Sequence, residues 1–351
     1  MKALNNMERI QISNELVLLL LSLYEYKGKS FYYDDLFNRD QGAFEKKTLE
    51  SNLVAIASTL ELDMTDARIK LFAKKQMAPK NKDEALMANI RQALHKLHAN
   101  PESFELLVNE VDNLARLLSR QTEPIGFASY AAKDEGMLNK SRKKSRREDL
   151  EELMRLFDKN MRSNKFELTQ LIANFYVDFL NMKIMTKHNE LIALVLLYAL
   201  LFRDFTVFKY VPFFAYFAEN KAAWQSGIIT ANYYWSSGFA QTDMLSRMLI
   251  HLLIDAYQDV DKMAHEYSFE RDLNKSDNIE NSILKLSEIF CKEDLRKRHP
   301  NVSDATIDRT LKRLKDENKI RPLGKGRSSK WQRIVSGHKK LGMEQLSLFN
   351  D

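Results

Sequence analysis

The sequence has little cysteine, proline and glycine, and it lacks a long apolar run. The single cysteine among 351 residues, Cys291, excludes an intramolecular disulfide framework and a zinc site built from cysteines, and it predicts a reducing, cytoplasmic location. Ten glycines and six prolines favour helices over turn-rich β architecture. The most apolar run, Leu191 to Phe202, is twelve residues long and too short to span a bilayer. The first fifteen residues hold no signal-peptide core, so we expect no membrane partner.

Apolar residues recur with helical spacing through most of the chain, for example over 84–98 and 102–119. The fold class that this pattern predicts is an all-α helical body followed by a small α+β domain. The predicted division of the chain is an N-terminal helical region at 1–120, a loop and basic connector at 121–147, a helical core at 148–270, a linker at 271–280, the small domain at 281–335 and a flexible tail at 336–351.

Positive charge is concentrated near the C-terminus. Residues 291–340 carry 16 Lys and Arg against six Asp and Glu, a net charge of +10, which leaves −4 for the rest of the chain. A compact basic module on a slightly acidic body indicates a polyanionic partner. A second basic run, Lys140 to Arg147, has six positive charges in eight residues and fits either a solvated connector or a second nucleic-acid contact.

The basic segment has the order of elements that is typical of a winged helix-turn-helix. Ser303 can cap a helix over 304–318, in which Ile307, Leu311 and Leu314 form an inward face. A strand, a glycine-bearing turn and a second strand follow. We predict four side chains on the opposite helix face to read DNA bases: Thr306, Arg309, Thr310 and Arg313. We predict four cations in and beside the wing to contact phosphates: Arg321, Lys325, Arg327 and Lys330. Use of the same fold for protein contact is the alternative.

Several segments of the body form a recognisable series in chain order. They are Tyr24-Glu-Tyr-Lys-Gly-Lys-Ser, Ala57-Ser-Thr, Ala67-Arg-Ile-Lys, Pro79-Lys-Asn-Lys-Asp-Glu84 and Tyr176-Val-Asp-Phe-Leu180, followed by an apolar helix. The series resembles the Fic (Fido-fold) family, in particular bacterial members with a C-terminal winged helix. The family transfers a nucleotide from ATP to a protein hydroxyl through a loop that reads H-P-F-x-D/E-G-N-G-R-x-x-R. The resemblance is compatible with a homodimer formed through the helical body.

The corresponding loop departs from this motif at the residues that carry the chemistry. Lys183 stands in place of the histidine base, Lys187 in place of the acidic metal ligand, and Leu191 and Leu194 in place of the two arginines. A lysine side chain is protonated near neutral pH unless it is strongly desolvated, and a cation repels Mg²⁺.

The glycines of the motif are also replaced. His188 and Glu190 stand where the family has glycine, and Asn189 alone matches. We therefore predict a catalytically inactive body with no cofactor and no metal. New chemistry at His188 and Glu190 is the weaker interpretation. His95 and His98 have the spacing of metal ligands but lack an evident third ligand, so we expect them on an exposed helix face.

The C-terminal tail carries a short motif of another kind. The pentapeptide Gln345-Leu346-Ser347-Leu348-Phe349 resembles the peptide by which bacterial replication and repair proteins dock on the DNA polymerase sliding clamp. The alternative is that its apolar residues fold back on the preceding domain. The resulting expectation is a non-enzymatic, nucleoid-associated regulator whose partners are DNA and the clamp. The competing expectation is a divergent nucleotidyltransferase (AMPylase).

Overall fold

A computed structural model describes residues 2–10, 12–133, 141–272, 275–300, 302–324 and 330–334. The chain divides into two compact units, Met1–Ala264 and His265–Asp351. Both units are mainly helical, as predicted, and the second also contains a small antiparallel sheet. Within the described ranges, no helix is both long enough and apolar enough to cross a membrane.

The first unit, Met1–Ala264, is built from helices of about two to six turns. Its helices are α1 (Asn14–Gly28), α2 (Ser30–Phe37), α3 (Gln41–Thr59), α4 (Asp66–Lys74), α5 (Lys82–Ala99), α6 (Val108–Leu118), α7 (Arg146–Arg162), α8 (Leu168–Met182), α9 (Asn189–Asp204), α10 (Phe213–Glu219), α11 (Lys221–Tyr233) and the first part of α12 (Asp243–Asp272). Side chains supply the caps: Ser13 accepts a hydrogen bond from the backbone N–H of Leu16, and Asn81 accepts one from Glu84.

Helix α9 is the centre of this unit. All its side chains from Leu191 to Phe202 are buried, because the run is apolar on every face. Helix α8 packs alongside α9 and also contacts α7 and α11. Tyr198 of α9 lies within a cluster of buried rings at centroid distances of 5.1 to 6.0 Å from Phe208, Phe213 and Phe214. Helices α8 and α9 and this ring cluster thus form a buried core, in keeping with the mainly helical body that the apolar spacing predicted.

The N-terminal residues are attached to this core by a buried carboxylate. Asp178 on α8 has no exposed surface. Its two oxygens accept hydrogen bonds from the backbone N–H groups of Lys2, Ala3 and Leu4 at 2.8, 2.9 and 3.0 Å. The indole N–H of Trp235 donates to the same carboxylate at 2.7 Å. One side chain thus joins residues that are more than 230 positions apart in the sequence.

The predicted loop and connector at 121–147 contains an antiparallel ribbon. Strand β1 (Ser129–Lys133) pairs with β2 (Ser141–Ser145), and Ser129 lies opposite Ser145. Residues 141–147 of the basic run thus supply the whole of β2 and the start of α7. Arg146 stacks over the ring of Tyr130 at 4.0 Å and bonds to Asp149 at 2.6 Å. These contacts attach Arg146 to the ribbon and to α7, whereas Lys143 and Lys144 are exposed to solvent.

The described residues of the second unit, His265–Asp351, form short helices and three strands. In chain order they are α13 (Lys275–Lys285), β3 (Ile289–Cys291), α14 (Lys292–Arg298), α15 (Asp304–Asp316), β4 (Ile320–Pro322) and β5 (Lys330–Arg333). The sheet order is β3-β5-β4, with antiparallel neighbours. Ser303 caps α15, and Ile307, Leu311 and Leu314 point into the core, as predicted.

The predicted linker at 271–280 is wrong, because α12 continues to Asp272 and α13 begins at Lys275. The polar composition of this segment indicates a loop, but Ile279 and Ile283 lie four residues apart and are both buried in the core of the second unit. Both side chains can enter the core because a helix places residues four positions apart on one face. The polar residues around them did not indicate this helix.

Candidate functional site

A cavity of about 920 Å³ opens at the loop that joins α8 to α9, at residues 183–191, which the sequence singled out. Polar side chains surround it, and buried apolar side chains form much of its wall. The lining residues used below are Tyr176, Lys183, Lys187, His188, Asn189, Glu190, Leu191, Leu194, Phe217, Lys221, Trp224 and Ile229. The structure thus brings the residues of the predicted motif region together around one cavity.

The backbone of the loop is left-handed at both of its ends. Lys183 ends α8 with φ of 48°, and His188 precedes α9 with φ of 51°. Such values are uncommon for residues other than glycine and mark positions that the surrounding structure holds in place. The side chain of Asn189 contributes to this, because its Oδ1 accepts a hydrogen bond from the backbone N–H of Met185 at 3.0 Å.

The middle of the loop is anchored to the segment that leads into the ribbon. Ile184 and Met185 are buried, and the carbonyl of Ile184 accepts a hydrogen bond from the N–H of Ala128 at 2.8 Å. The N–H of Thr186 donates to the carbonyl of Gly126 at 2.9 Å. The loop is therefore fixed by packing and by backbone pairing rather than by glycines.

Two of the three lysines at the cavity already have partners. Lys187 forms an ion pair with Glu123, and Lys221 bonds to Glu61 at 2.9 Å. The hydrogen bond from Lys187 lowers the pKa of Glu123, and the hydrogen bond from Lys221 lowers the pKa of Glu61. Lys183 is exposed, and no carboxylate of the described residues lies within ion-pair distance of it.

The wall of the cavity is apolar at the start of α9. Leu191 and Leu194 are 2% and 5% exposed. Trp224 and Tyr176 lie nearby with their rings 5.7 Å apart, and the indole N–H donates to the phenol oxygen at 3.4 Å. Burial raises the pKa of Tyr176 to about 12. This wall offers no cationic fork for a phosphate group.

The remaining polar residues of the motif region are not organised as a catalytic pair. His188 and Glu190 are both exposed, both belong to the described residues, and no hydrogen bond joins them. Among the residues that the structure describes, no three His, Cys, Asp or Glu side chains come close enough to share a metal ion.

His98 is buried, contrary to expectation, and its Nε2 lies 2.8 Å from the hydroxyl of Tyr198. Burial lowers the pKa of His98 to about 4.

Helix α15 presents a different surface from the one predicted. Thr310 is only 2% exposed, and its hydroxyl donates to the carbonyl of Thr306 at 2.9 Å. Arg313 is ion-paired with Glu280 at 2.6 Å and with Glu317 at 2.9 Å. Thr310 lies three residues after Ile307 and four before Leu314, which places it on the buried side of the helix. The prediction that Thr310 lies on the outer face is therefore wrong, whereas the Arg313 side chain is 39% exposed and carries its ion pairs at the surface.

The outer face of α15 is instead formed by residues one turn apart. Arg309 is exposed and its Nε bonds only weakly to the carbonyl of Ala305, at 3.3 Å. Lys312, which the sequence argument missed, is exposed three residues further on. The sequence could have indicated Lys312, because at 100° per residue it lies on the helix face opposite Ile307, Leu311 and Leu314. Thr306 is half-buried, with its hydroxyl 2.9 Å from that of Ser303.

Acidic residues at the start of α15 are neutralised by α14. Asp304 pairs with Arg296, and Asp308 pairs with Lys292 at 2.6 Å. The hydrogen bond from Arg296 lowers the pKa of Asp304. These pairs reduce the repulsion that two carboxylates on this face would exert on a polyanion.

The cations of the sheet are partly described. Arg321 is exposed and its Nε donates to Gln332 at 2.7 Å, and Lys330 is exposed on β5. Lys325 and Arg327 lie outside the described residues, as does the pentapeptide Gln345–Phe349.

No family model matches this chain. A search of curated proteins likewise found no similar sequence. The interpretation of the cavity and of the cationic surface therefore depends on the residues and their geometry.

Proposed function

We propose that this protein is a DNA-binding regulator in which a catalytically inactive Fic-like body carries a winged helix-turn-helix. The observation that carries the proposal is the arrangement of the second unit. A helix, a strand, two helices and two further strands follow one another, and β5 lies between β3 and β4. This order supports the winged-helix interpretation, in which α15 enters the major groove and the turn after β4 forms the wing.

The exposed charges of this unit support DNA as its partner. Arg309 and Lys312 lie on the outer face of α15, while Arg321 and Lys330 flank the proposed wing. Contacts to phosphate supply the affinity of such a module, and base edges read by the helix supply its specificity. We assign the role of a regulator because the proposed protein binds DNA and its body does not transfer a nucleotide.

The test is binding of the full chain to labelled duplex DNA by fluorescence anisotropy between about 50 and 200 mM salt. We expect a steep decrease of affinity with salt, and Lys330→Ala should reduce the slope of log K against log salt by about one. Lys70→Ala, which removes an exposed lysine of the first unit, is the matched control and should change nothing. Binding that is absent, or that does not depend on Lys330 or Arg309, would favour a protein-contact module instead.

The inactivity of the body is supported by the cavity. Lys183 takes the place of the base, and Leu191 and Leu194 line the wall where arginines would bind phosphate. The alternative is a divergent nucleotidyltransferase that modifies a protein hydroxyl. Incubation with labelled ATP and candidate target proteins distinguishes the two: we expect no transfer, and labelling that is lost in Lys183→Ala would establish the alternative.

We also propose that the tail peptide Gln345–Phe349 docks on the DNA polymerase sliding clamp. Leu348 and Phe349 are suited to an apolar pocket, and Leu346 packs beside them. Two linked weak contacts, one to DNA and one to the clamp, raise the overall affinity for replicating DNA. Deletion of residues 345–349 should abolish binding to purified clamp and leave DNA binding intact. Unchanged clamp binding would refute the assignment.

A further inference from the structure

We propose that the cavity at the loop between α8 and α9 binds an apolar monocarboxylate, a molecule with an extended apolar body and one anionic group. This inference is independent of DNA binding by the second unit. It concerns a ligand class different from the triphosphate that the Fic motif accommodates, and it follows from the residues that replace that motif.

The size and the wall of the cavity fit an apolar body. A volume of about 920 Å³ lies at the upper end of the range for small-molecule sites. Leu191, Leu194, Phe217 and Trp224 on its wall are all at most 6% exposed, so their packing gives the wall a fixed shape. Ile229 extends the apolar surface to the rim, where its side chain is 69% exposed. An acyl chain or an aryl group would rest against this wall and would remove the exposed side chain of Ile229 from water.

The charges at the rim fit a single anionic group. Lys183 is the lysine of the lining whose ammonium has no carboxylate partner among the described residues. Lys187 and Lys221 pair with Glu123 and Glu61, whose side chains are 42% and 79% exposed. Exposed pairs of this kind are weak, so a bound carboxylate can share their cations.

Glu190 limits the charge that the site tolerates. Its carboxylate also lines the cavity and lies in the first turn of α9, where it already occupies the electropositive helix terminus. A triphosphate would bring several negative charges close to this group, whereas a monocarboxylate brings one, which Lys183 can balance. The left-handed backbone at Lys183 and His188 holds both ends of the loop at the cavity, as is common for residues that contact ligands.

The test is isothermal titration calorimetry of the full chain with dodecanoate below its micellar concentration. Dodecanol, which has the same chain and no charge, and Mg·ATP are the comparison ligands. We expect one dodecanoate per chain and binding of dodecanol that is weaker by about tenfold or more. Mg·ATP should neither bind nor displace dodecanoate.

Two variants locate the site, and both change exposed side chains that the fold does not need. Lys183→Gln should weaken dodecanoate binding by about tenfold, and Ile229→Glu should weaken it by at least as much. Lys70→Gln is the matched control and should bind like the wild type. The proposal is overturned if dodecanoate does not bind, if both site variants bind normally, or if Mg·ATP displaces it.

Discussion

The buried carboxylate of Asp178 should contribute strongly to stability, because it is the only partner recorded for several N–H groups in the described part of the first unit. Asp178→Ala leaves the N–H groups of Ala3 and Leu4, which belong to buried residues, without an acceptor. The N–H groups of Lys2 and Trp235 are closer to the surface and can bond to water instead. We therefore expect the free energy of unfolding of this unit to fall substantially.

The magnitude follows from the two buried donors. An unsatisfied buried donor costs about 1–3 kcal/mol, so the pair predicts a loss of about 4 kcal/mol. If the N-terminal segment detached to avoid this cost, Leu4 and Met7 would leave the core, and each buried side chain of that size contributes about 1.5–3 kcal/mol. Both routes lead to a loss of several kcal/mol. Asp178→Asn keeps one acceptor oxygen and should lose about half as much.

The assay is urea unfolding followed by tryptophan fluorescence. The chain has three tryptophans, and a Trp331→Phe background removes the one in the second unit, so that Trp224 and Trp235 report on the first. Asp158→Ala removes an exposed carboxylate on α7 that pairs with Arg162, and it should change the free energy of unfolding by less than about 1 kcal/mol. A loss below about 1 kcal/mol in Asp178→Ala would refute the reasoning.

Two further predictions concern pH and glycine. The pKa of His98 is about 4 in the folded protein, below the ordinary 6.5, so the unfolded state binds the proton first as the pH falls. Between pH 7 and 5 the free energy of unfolding should fall by about 2 kcal/mol more in the wild type than in His98→Gln, as measured by urea unfolding; equal losses would contradict the assignment. A Cβ at Gly227 would lie 2.8 Å from the buried side chain of Leu245, whereas one at Gly42 in α3 meets nothing within 4 Å. Gly227→Ala should therefore lower the free energy of unfolding by about 1–2 kcal/mol, and Gly42→Ala, in the first turn of α3, should raise it slightly. Thermal melts that shift in the same direction would contradict this contrast.

Helix positions could be predicted where an apolar stripe and a cap agree. The segment 84–98 was expected to be helical, and α5 runs from Lys82 to Ala99 because Asn81 caps it and Leu86, Ile90 and Leu94 are buried on one side. The polar character of Thr310 was misleading, because its hydroxyl is satisfied inside α15 and its helical position faces the core. Residue type alone does not distinguish a polar side chain that bonds within its own helix from one that faces solvent.

The sequence indicated which loop belongs to the candidate site, but it did not indicate the residues from other helices that complete the cavity. The altered motif indicated the loop between α8 and α9, but its cavity also depends on Lys221 and Trp224, which follow in α11, and on Thr59 at the end of α3. The left-handed conformations of Lys183 and His188 have no signature in residue type, because glycine is the residue that usually marks them. The ribbon was missed because long-range pairing, rather than apolar alternation, establishes it.

The attachment of residues 2–4 to Asp178 has a consequence for the order in which the first unit is completed during synthesis. These residues leave the ribosome long before their acceptor does, and Trp235 follows later still. At about 5–20 residues per second, the N-terminal segment waits roughly 10–50 s for its binding site to exist. This segment is translated before its acceptor and is therefore among the last parts of the unit to reach its native contacts. Until then, Leu4 and Met7 are apolar side chains without a core to enter, and they are available to chaperones.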